Sequence, residues 1–304
     1  LFINLFINKS FAIMLKPNAS ELVLSADGSI YHLRIKPEQL ADTVILVGDP
    51  GRVSMVSGHF DHLEFQGQNR EMLVHTGWIG KSRITVISTG MGPDNIDIVV
   101  NELDALANID LKTLEEKPNK TSLRLIRIGT SGSLQPDIPV NAFVAAEYAI
   151  GLDTLLRFYR FEGNSFEEEM VDEFIIQTEW KPELGRPYVV KASPELLNLV
   201  GKEVINGITA TAPGFYGPQG RKLRLPLVMS DMNERLMKFR YHGRSITNFE
   251  METSALYGLS TLMGHQALTI CLTIANRASG TFSSDYHSRM NELIQFVLEK
   301  LTCS

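Results

Sequence analysis

This chain of 304 residues is short of the features that would place it in several large protein classes. It has two cysteines, Cys271 and Cys303, with no Cys-x-x-Cys pair and no Cys/His spacing suited to a metal. That excludes a disulfide framework and makes a reducing cytoplasm the expected compartment. Positive charge is in deficit: 29 Lys and Arg against 35 Asp and Glu leave a net charge of −6. Nucleic-acid binding needs a basic surface, so no nucleic-acid partner is expected, although a local basic pocket is compatible with the balance. Long hydrophobic runs are missing too. The most apolar stretch, LFINLFINKSFAIML at 1–15, is too short to span a bilayer and lacks a basic leader or a small-residue cleavage site. Neither a membrane partner nor a secretory signal is expected. The chain opens at Leu1 with Met14 close behind, and residues 1–13 are expected to be dispensable. Residues 1–24 read as an N-terminal extension and 25–304 as one domain. Internal repeats and linkers are absent, as are the Gly-x-Ser-x-Gly elbow and an early Gly-x-Gly-x-x-Gly, which speaks against a dinucleotide-dependent oxidoreductase.

What is present is an alternation of strand-like and helix-like stretches. The apolar run at 44–47 suits a strand covered on both faces. A hairpin is expected from 71–75 and 83–88, turning at 77–80, and further strands at 123–128, 143–149, 208–212 and 267–275. Apolar spacing at Ile96, Val99, Val100, Leu103 and Leu106 predicts a helix over 93–107. Other helices are expected at 166–178, 194–204, from the end of a strand near 250 to 263, and at 286–301. Residues 110–122 read as a polar loop and 213–220 as a Pro/Gly loop. Together these predict an α/β fold with a central, largely parallel or mixed sheet in a single domain.

Four segments carry chemistry. In Gly48-Asp49-Pro50-Gly51-Arg52, the glycines admit a ligand to backbone N–H groups, Pro50 sets the turn, and Arg52 adds a permanent cation at a strand's carboxyl end. Phosphate suits this segment, and so does a plain turn with a solvated arginine. In Arg127-Ile128-Gly129-Thr130-Ser131-Gly132, an arginine lies in an apolar strand ahead of a glycine turn. Its burial is costly unless an anion or a structural carboxylate pairs with it. In Asn248-Phe249-Glu250-Met251-Glu252-Thr253, the glutamates can accept sugar hydroxyls or complement a helix dipole. In Phe215-Tyr216-Gly217-Pro218-Gln219-Gly220-Arg221, an aromatic ring, an amide and a guanidinium can hold a flat heterocycle; a solvated loop reads equally well.

Taken in order, and with Ser88-Thr89-Gly90-Met91-Gly92, these segments resemble the nucleoside phosphorylase superfamily of the purine/uridine phosphorylase type, from about Ile30 to the C-terminus. Ile30-Tyr31-His32-Leu33, the Phe215/Gln219/Arg221 spacing and Asn276-Arg277 favour its uridine phosphorylase branch; purine members place an aspartate near the last position. The resemblance implies a partly barrel-like mixed sheet flanked by helices. It also implies a homodimer-based oligomer, usually a hexamer. Gly48, Arg52, Arg127 and Thr130 would bind phosphate, joined by Arg70 of a neighbouring subunit. Glu250, Met251 and Glu252 would hold ribose, with His32 lent by the neighbour. Phe215, Gln219, Arg221 and, more remotely, Arg277 would bind the base. Catalysis would fall to Arg127, Glu252, Gln219 and Arg221. No cofactor is implied beyond phosphate as co-substrate. A structural potassium or sodium ion at Glu71 in the dimer interface is a further implication, although Pro93-Asp94-Asn95 departs from the family's usual Gly-Pro-Ser there.

The reaction so implied is reversible phosphorolysis of uridine, or another pyrimidine nucleoside, to uracil and ribose 1-phosphate in pyrimidine salvage. A purine nucleoside phosphorylase and a hydrolytic nucleosidase are the alternatives within the superfamily. Outside it stands a non-catalytic nucleoside-binding protein. The loop 110–122 and the flap segment 278–284 depart from the family pattern. His59, His62, His75, His242, His265 and His287 match no motif and read as structural or surface residues.

Overall fold

The computed structural model describes residues 17–303, so the stretch 1–13 lies outside the described residues. The strands are β1 (Thr43–Val47), β2 (His62–Asn69), β3 (Met72–Ile79), β4 (Ser82–Ser88), β5 (Ile109–Asp110), β6 (Glu115–Glu116) and β7 (Arg124–Ser133). They continue with β8 (Phe143–Gly151), β9 (Tyr188–Lys191), β10 (Ile205–Thr211), β11 (Arg240–Tyr241), β12 (Arg244–Glu250), β13 (Gln266–Asn276) and β14 (Thr281–Phe282). The α-helices are α1 (Pro50–Ser57), α2 (Pro93–Asn108), α3 (Ser165–Thr178), α4 (Pro194–Leu199), α5 (Met232–Lys238), α6 (Thr253–Met263) and α7 (Tyr286–Thr302).

All five residues of β1 are buried, because the strand lies in parallel between β4 and β7 with cover on both faces. β13 runs parallel to β7 on one side and antiparallel to β8 on the other. β12 pairs in parallel with β10 and then, through Asn248 and Phe249, antiparallel with the far end of β7. Strands β7, β13, β8, β10 and β12 therefore close into a ring, the partial barrel, while β1, β4, β3 and β2 extend from it as an open wing. Helices clad the sheet. In α2, Pro93 opens the first turn and Ile96, Val99, Val100, Leu103 and Leu106 are buried. Met290, Leu293, Ile294, Val297, Leu298 and Leu301 form the buried stripe of α7. Leu22 and Leu24 also pack against the main core. Among the described residues, no helix is long and apolar enough to cross a membrane.

Several local expectations are corrected. The first hairpin does not turn at 77–80: β3 runs on to Ile79 and the turn falls at Gly80 and Lys81. Gly77 is a packing glycine, since a Cβ there would lie 2.4 Å from the Phe60 ring and the His62 carbonyl. β2 gave no strand signal in the sequence because its polar side chains are mostly exposed. β7 does not stop at Gly129 but continues to Ser133. α4 ends at Leu199 in place of 204, and the loop 110–122 includes part of the small β5–β6 hairpin.

Candidate active site

The carboxyl ends of β1, β4, β7 and β12 converge on a cavity of about 450 Å³. Ligands bind at such strand ends in open α/β sheets. Gly48, Arg52, Arg127, Thr130, Phe215, Gln219, Glu250, Met251 and Glu252 all line it, so most of the sequence-predicted set is brought together. Asp49 caps α1, its side chain accepting from the Gly51 N–H at 2.9 Å, and this turns the chain so that Arg52 faces the cavity. Arg52 is buried and donates to the Ile128 carbonyl at 3.0 Å; its Nε has no partner among the described residues. That leaves a buried cationic donor on the cavity wall that also carries Gly48 and Thr130, an arrangement that suits an anion.

Arg127 is the centre of the cavity floor. Its guanidinium is ion-paired to the Glu252 carboxylate and lies 3.4 Å from Glu250 Oε2, while Nη1 points at Cys271 Sγ 3.6 Å away. The side chain folds back over Gly129, where a Cβ would sit 2.0 Å from Nη1. The glycine read as a turn residue is thus the space that Arg127 occupies. Burial works against the arginine's charge, but Glu252 and Glu250 more than offset it and hold the proton above the ordinary range. Burial pushes the Glu252 carboxyl upward; Arg127 pulls it back and Glu250 pushes it further up. Glu252 also accepts from the Gly92 N–H at 2.8 Å, tying the Ser88–Gly92 motif to the Glu250–Glu252 segment. Glu250 is more fully engaged. It accepts from Thr211 Oγ1 at 2.7 Å and from the N–H groups of Glu252 and Thr253 at 3.0 Å, at the start of α6.

At the other end of the cavity, Gln219 is buried in a short 3₁₀ turn, Gly217–Gln219. Its Oε1 accepts from Arg221 at 2.6 Å and from Arg277 at 2.9 Å. The opposite amide orientation would set an NH₂ group against the guanidinium donors, so the oxygen faces the arginines and Nε2 is left for the cavity. Arg221 stacks on the half-exposed Phe215 ring, 3.6 Å from its centroid. Arg277, expected to act remotely, touches Gln219 directly, donating to its backbone carbonyl as well at 2.8 Å. Burial and the neighbouring Arg221 push its guanidinium down to about 10. Asn276 is structural. Its side chain donates to the Gln135 and Ile138 carbonyls and accepts from the Ala278 and Ser279 N–H groups, fixing the chain after β13.

His32, Arg70 and Glu71 are not among the cavity-lining residues of their own chain. Asn69 Nδ2 donates to the His32 carbonyl at 2.9 Å, placing the His32 segment against the tip of the β2–β3 hairpin, where Arg70 is exposed. Arg70 holds a left-handed backbone with φ of 52°. Glu102 fixes His32, with its carboxylate 2.7 Å from Nδ1 and accepting from the His32 and Leu33 N–H groups. Glu102 lies 70 residues from His32 in the chain, so no local motif could announce it. Phe249 and Ile274 also line the cavity, and nothing in the sequence distinguishes them as lining residues because buried apolar strand residues look alike there.

A sheet-end pocket with cations at one end, carboxylates at its centre and an amide held by guanidiniums at the other can accommodate an anion beside a polar, planar ligand. The chain belongs to the phosphorylase superfamily, whose family model matches residues 42–301. It is 30% identical to a uridine phosphorylase of Treponema pallidum, covering 90% of this chain and 93% of that one. It is 28% identical to a purine nucleoside phosphorylase of the DeoD type from Listeria welshimeri, over 88% of this chain and 97% of the relative. Among solved structures, a Trypanosoma brucei nucleoside phosphorylase described as showing uridine phosphorylase activity superposes with a TM-score of 0.83 at 31% identity, covering 93% of this chain and all of that one. The protein is a pentosyltransferase of the nucleoside phosphorylase kind, taking a nucleoside and phosphate as substrates and needing no cofactor.

Proposed function

We propose that the protein catalyses reversible phosphorolysis of uridine to uracil and ribose 1-phosphate. The observation that carries this reading is the Arg221–Gln219–Arg277 cluster, where donors outnumber acceptors and the groups bonded to the Gln219 side chain are both cations. Such an edge suits a base with two carbonyls. It disfavours the amino groups of cytosine and adenine, which would leave donors facing donors. The shared names of the Treponema pallidum and Trypanosoma brucei relatives support the same choice.

In this reading phosphate sits among Gly48, Arg52, Arg127 and Thr130, and an oxygen of it attacks C1′ from the face opposite the base. The C1′–N1 bond breaks and its electron pair leaves with uracil, whose charge is met by Arg221, Arg277 and Gln219. Glu252 and Met251 hold the ribose, and Glu250 fixes the turn that presents them. Donors fixed in advance toward developing charge are worth about 3–4 kcal/mol each in such sites.

The reading includes a homodimer-based assembly, hexameric by resemblance, in which His32 and Arg70 complete a neighbour's pocket. The exposed, left-handed Arg70 and its proximity to the His32 segment support it, since strain of that kind persists where a residue serves function. It includes a potassium or sodium ion near Glu71, a domain spanning 25–304, and work in the cytoplasm, in keeping with two unpaired cysteines. Phosphate-dependent base release from uridine, thymidine, inosine, adenosine and cytidine tests it. Uridine is expected to be the best substrate, with adenosine and cytidine inert. Preferential cleavage of a purine nucleoside, or cleavage without phosphate, would overturn it.

A further inference from the structure

Behind the cavity lies a buried carboxylate that the reaction as described does not use. Asp153 follows β8 and is buried. No cation pairs with it among the described residues. Its oxygens accept from Tyr188 Oη at 2.8 and 2.9 Å, from Ser254 Oγ at 2.7 Å and from the Leu155 N–H at 2.9 Å. A desolvated carboxylate of this kind is expensive even when fully hydrogen-bonded. The fold makes room for it: Tyr188 pairs across the strands with Gly151, and any side chain at Gly151 would strike the Tyr188 ring at 2.3 Å.

The partners of Asp153 lead to the active site. Ser254 is in the first turn of α6, two residues after Glu252. Its backbone N–H donates to Thr211 Oγ1 at 3.0 Å, and Thr211 Oγ1 donates to Glu250 Oε1 at 2.7 Å. The other Glu250 oxygen faces Arg127. Both hydroxyl residues are buried. The first turn of α6 is therefore gripped on two sides, by Glu250 through the backbone and by Asp153 through a side chain.

We propose that Asp153 is a positioning residue, holding the Glu250–Glu252 turn through Ser254 so that Glu252 meets the ribose hydroxyls in register. This rests on the nucleoside phosphorylase reading of the site but not on the identity of the base. Loss of the tether frees the ribose segment more than the phosphate segment, because Gly48, Arg52 and Thr130 belong to other elements and Arg127, although paired with Glu252, is carried by β7.

The test is steady-state kinetics of Ser254→Ala, Asp153→Ala, Asp153→Asn and the Ser254→Ala/Asp153→Ala double variant, using the best nucleoside found for the wild type. Ser254→Ala and Asp153→Ala are each expected to lower kcat/KM for the nucleoside about tenfold, with the phosphate KM within about twofold of wild type. The double variant should be no worse than Asp153→Ala alone, because both remove one tether. Asp153→Asn keeps an oxygen for Ser254 and should stay near wild type. A folded Ser254→Ala enzyme with unchanged kinetics, or equal losses for nucleoside and phosphate, would overturn the proposal. Should Asp153→Ala fail to fold, Ser254→Ala decides alone. A wild type that cleaves no nucleoside would overturn the functional reading and this proposal with it, whereas an active wild type with indifferent variants overturns only this one.

Discussion

Arg127 shares its charge with Glu252 and Glu250, and that sharing sets what its loss will do. In the proposed role Arg127→Ala removes a phosphate ligand, and it strands two buried carboxylates at once. Turnover should fall by about two to three orders of magnitude, as for loss of one fixed donor. Unfolding in urea should show a loss of about 3–5 kcal/mol, the usual consequence of breaking a buried pair. Adding Glu252→Gln to that variant should recover stability without recovering turnover. The same trio governs pH. Burial and Glu250 hold the Glu252 carboxyl above its ordinary value, so Glu252 takes up a proton at a higher pH than a free glutamate. The acid limb of kcat/KM should therefore lie above the ordinary glutamate range. Glu250→Gln removes one upward push and should move that limb to lower pH; a limb that stays in place or rises would show that another group sets it.

Strands and turns decide how Arg127 reaches the cavity. β7 stays extended through Gly129 and leaves the arginine room to fold back across it. Gly129→Ala should keep the fold but lower its stability, because the new Cβ meets the buried, ion-paired Arg127 guanidinium and lies 3.0 Å from Cys271 Sγ. It should raise the phosphate KM about tenfold to hundredfold, the loss of one charge-assisted hydrogen bond. Here the limits of the sequence are also visible. An arginine inside an apolar strand must find an anion or a carboxylate because its burial is expensive, and Arg127 pairs with Glu252 and Glu250; the Gln219/Arg221 spacing foretold an amide beside a guanidinium, and these two are bonded. Whether the glycine after Arg127 bends the chain or receives a side chain was not legible, because both uses demand the same missing Cβ. β2 was hidden for a different reason. Exposed edge strands carry polar residues on both faces and lose the alternation that betrays a half-buried strand. The Asp153–Ser254–Thr211 tether was invisible because its members lie far apart in the chain and belong to no motif.

At the scale of the whole molecule, the α/β class and the mixed sheet could be read from the alternation of elements, whereas closure of the ring could not, since β12 reaches β7 across more than a hundred residues. Sharing of sites between subunits can be tested by mixing. Subunits carrying Arg70→Ala and subunits carrying Arg127→Ala should each be nearly inactive. Co-refolded at equal amounts, they should recover roughly a quarter of wild-type activity, because half of the dimers are mixed and each of those keeps one intact site. No recovery would place Arg70 in its own chain's pocket, and an active Arg70→Ala enzyme would place it outside the reaction. The ring also has a consequence for how the protein comes into being. β13 lies between β7 and β8 and is made from residues 266–276, near the end of the chain. During synthesis β7 and β8 emerge with the slot for β13 empty, and more than a hundred residues separate them from the strand that fills it. Closure of contacts so distant in sequence is slow. The pocket is therefore among the last parts to form, and a chain stopped short of β13 would present unpaired strand edges to its neighbours, a template for aggregation rather than a partly working enzyme.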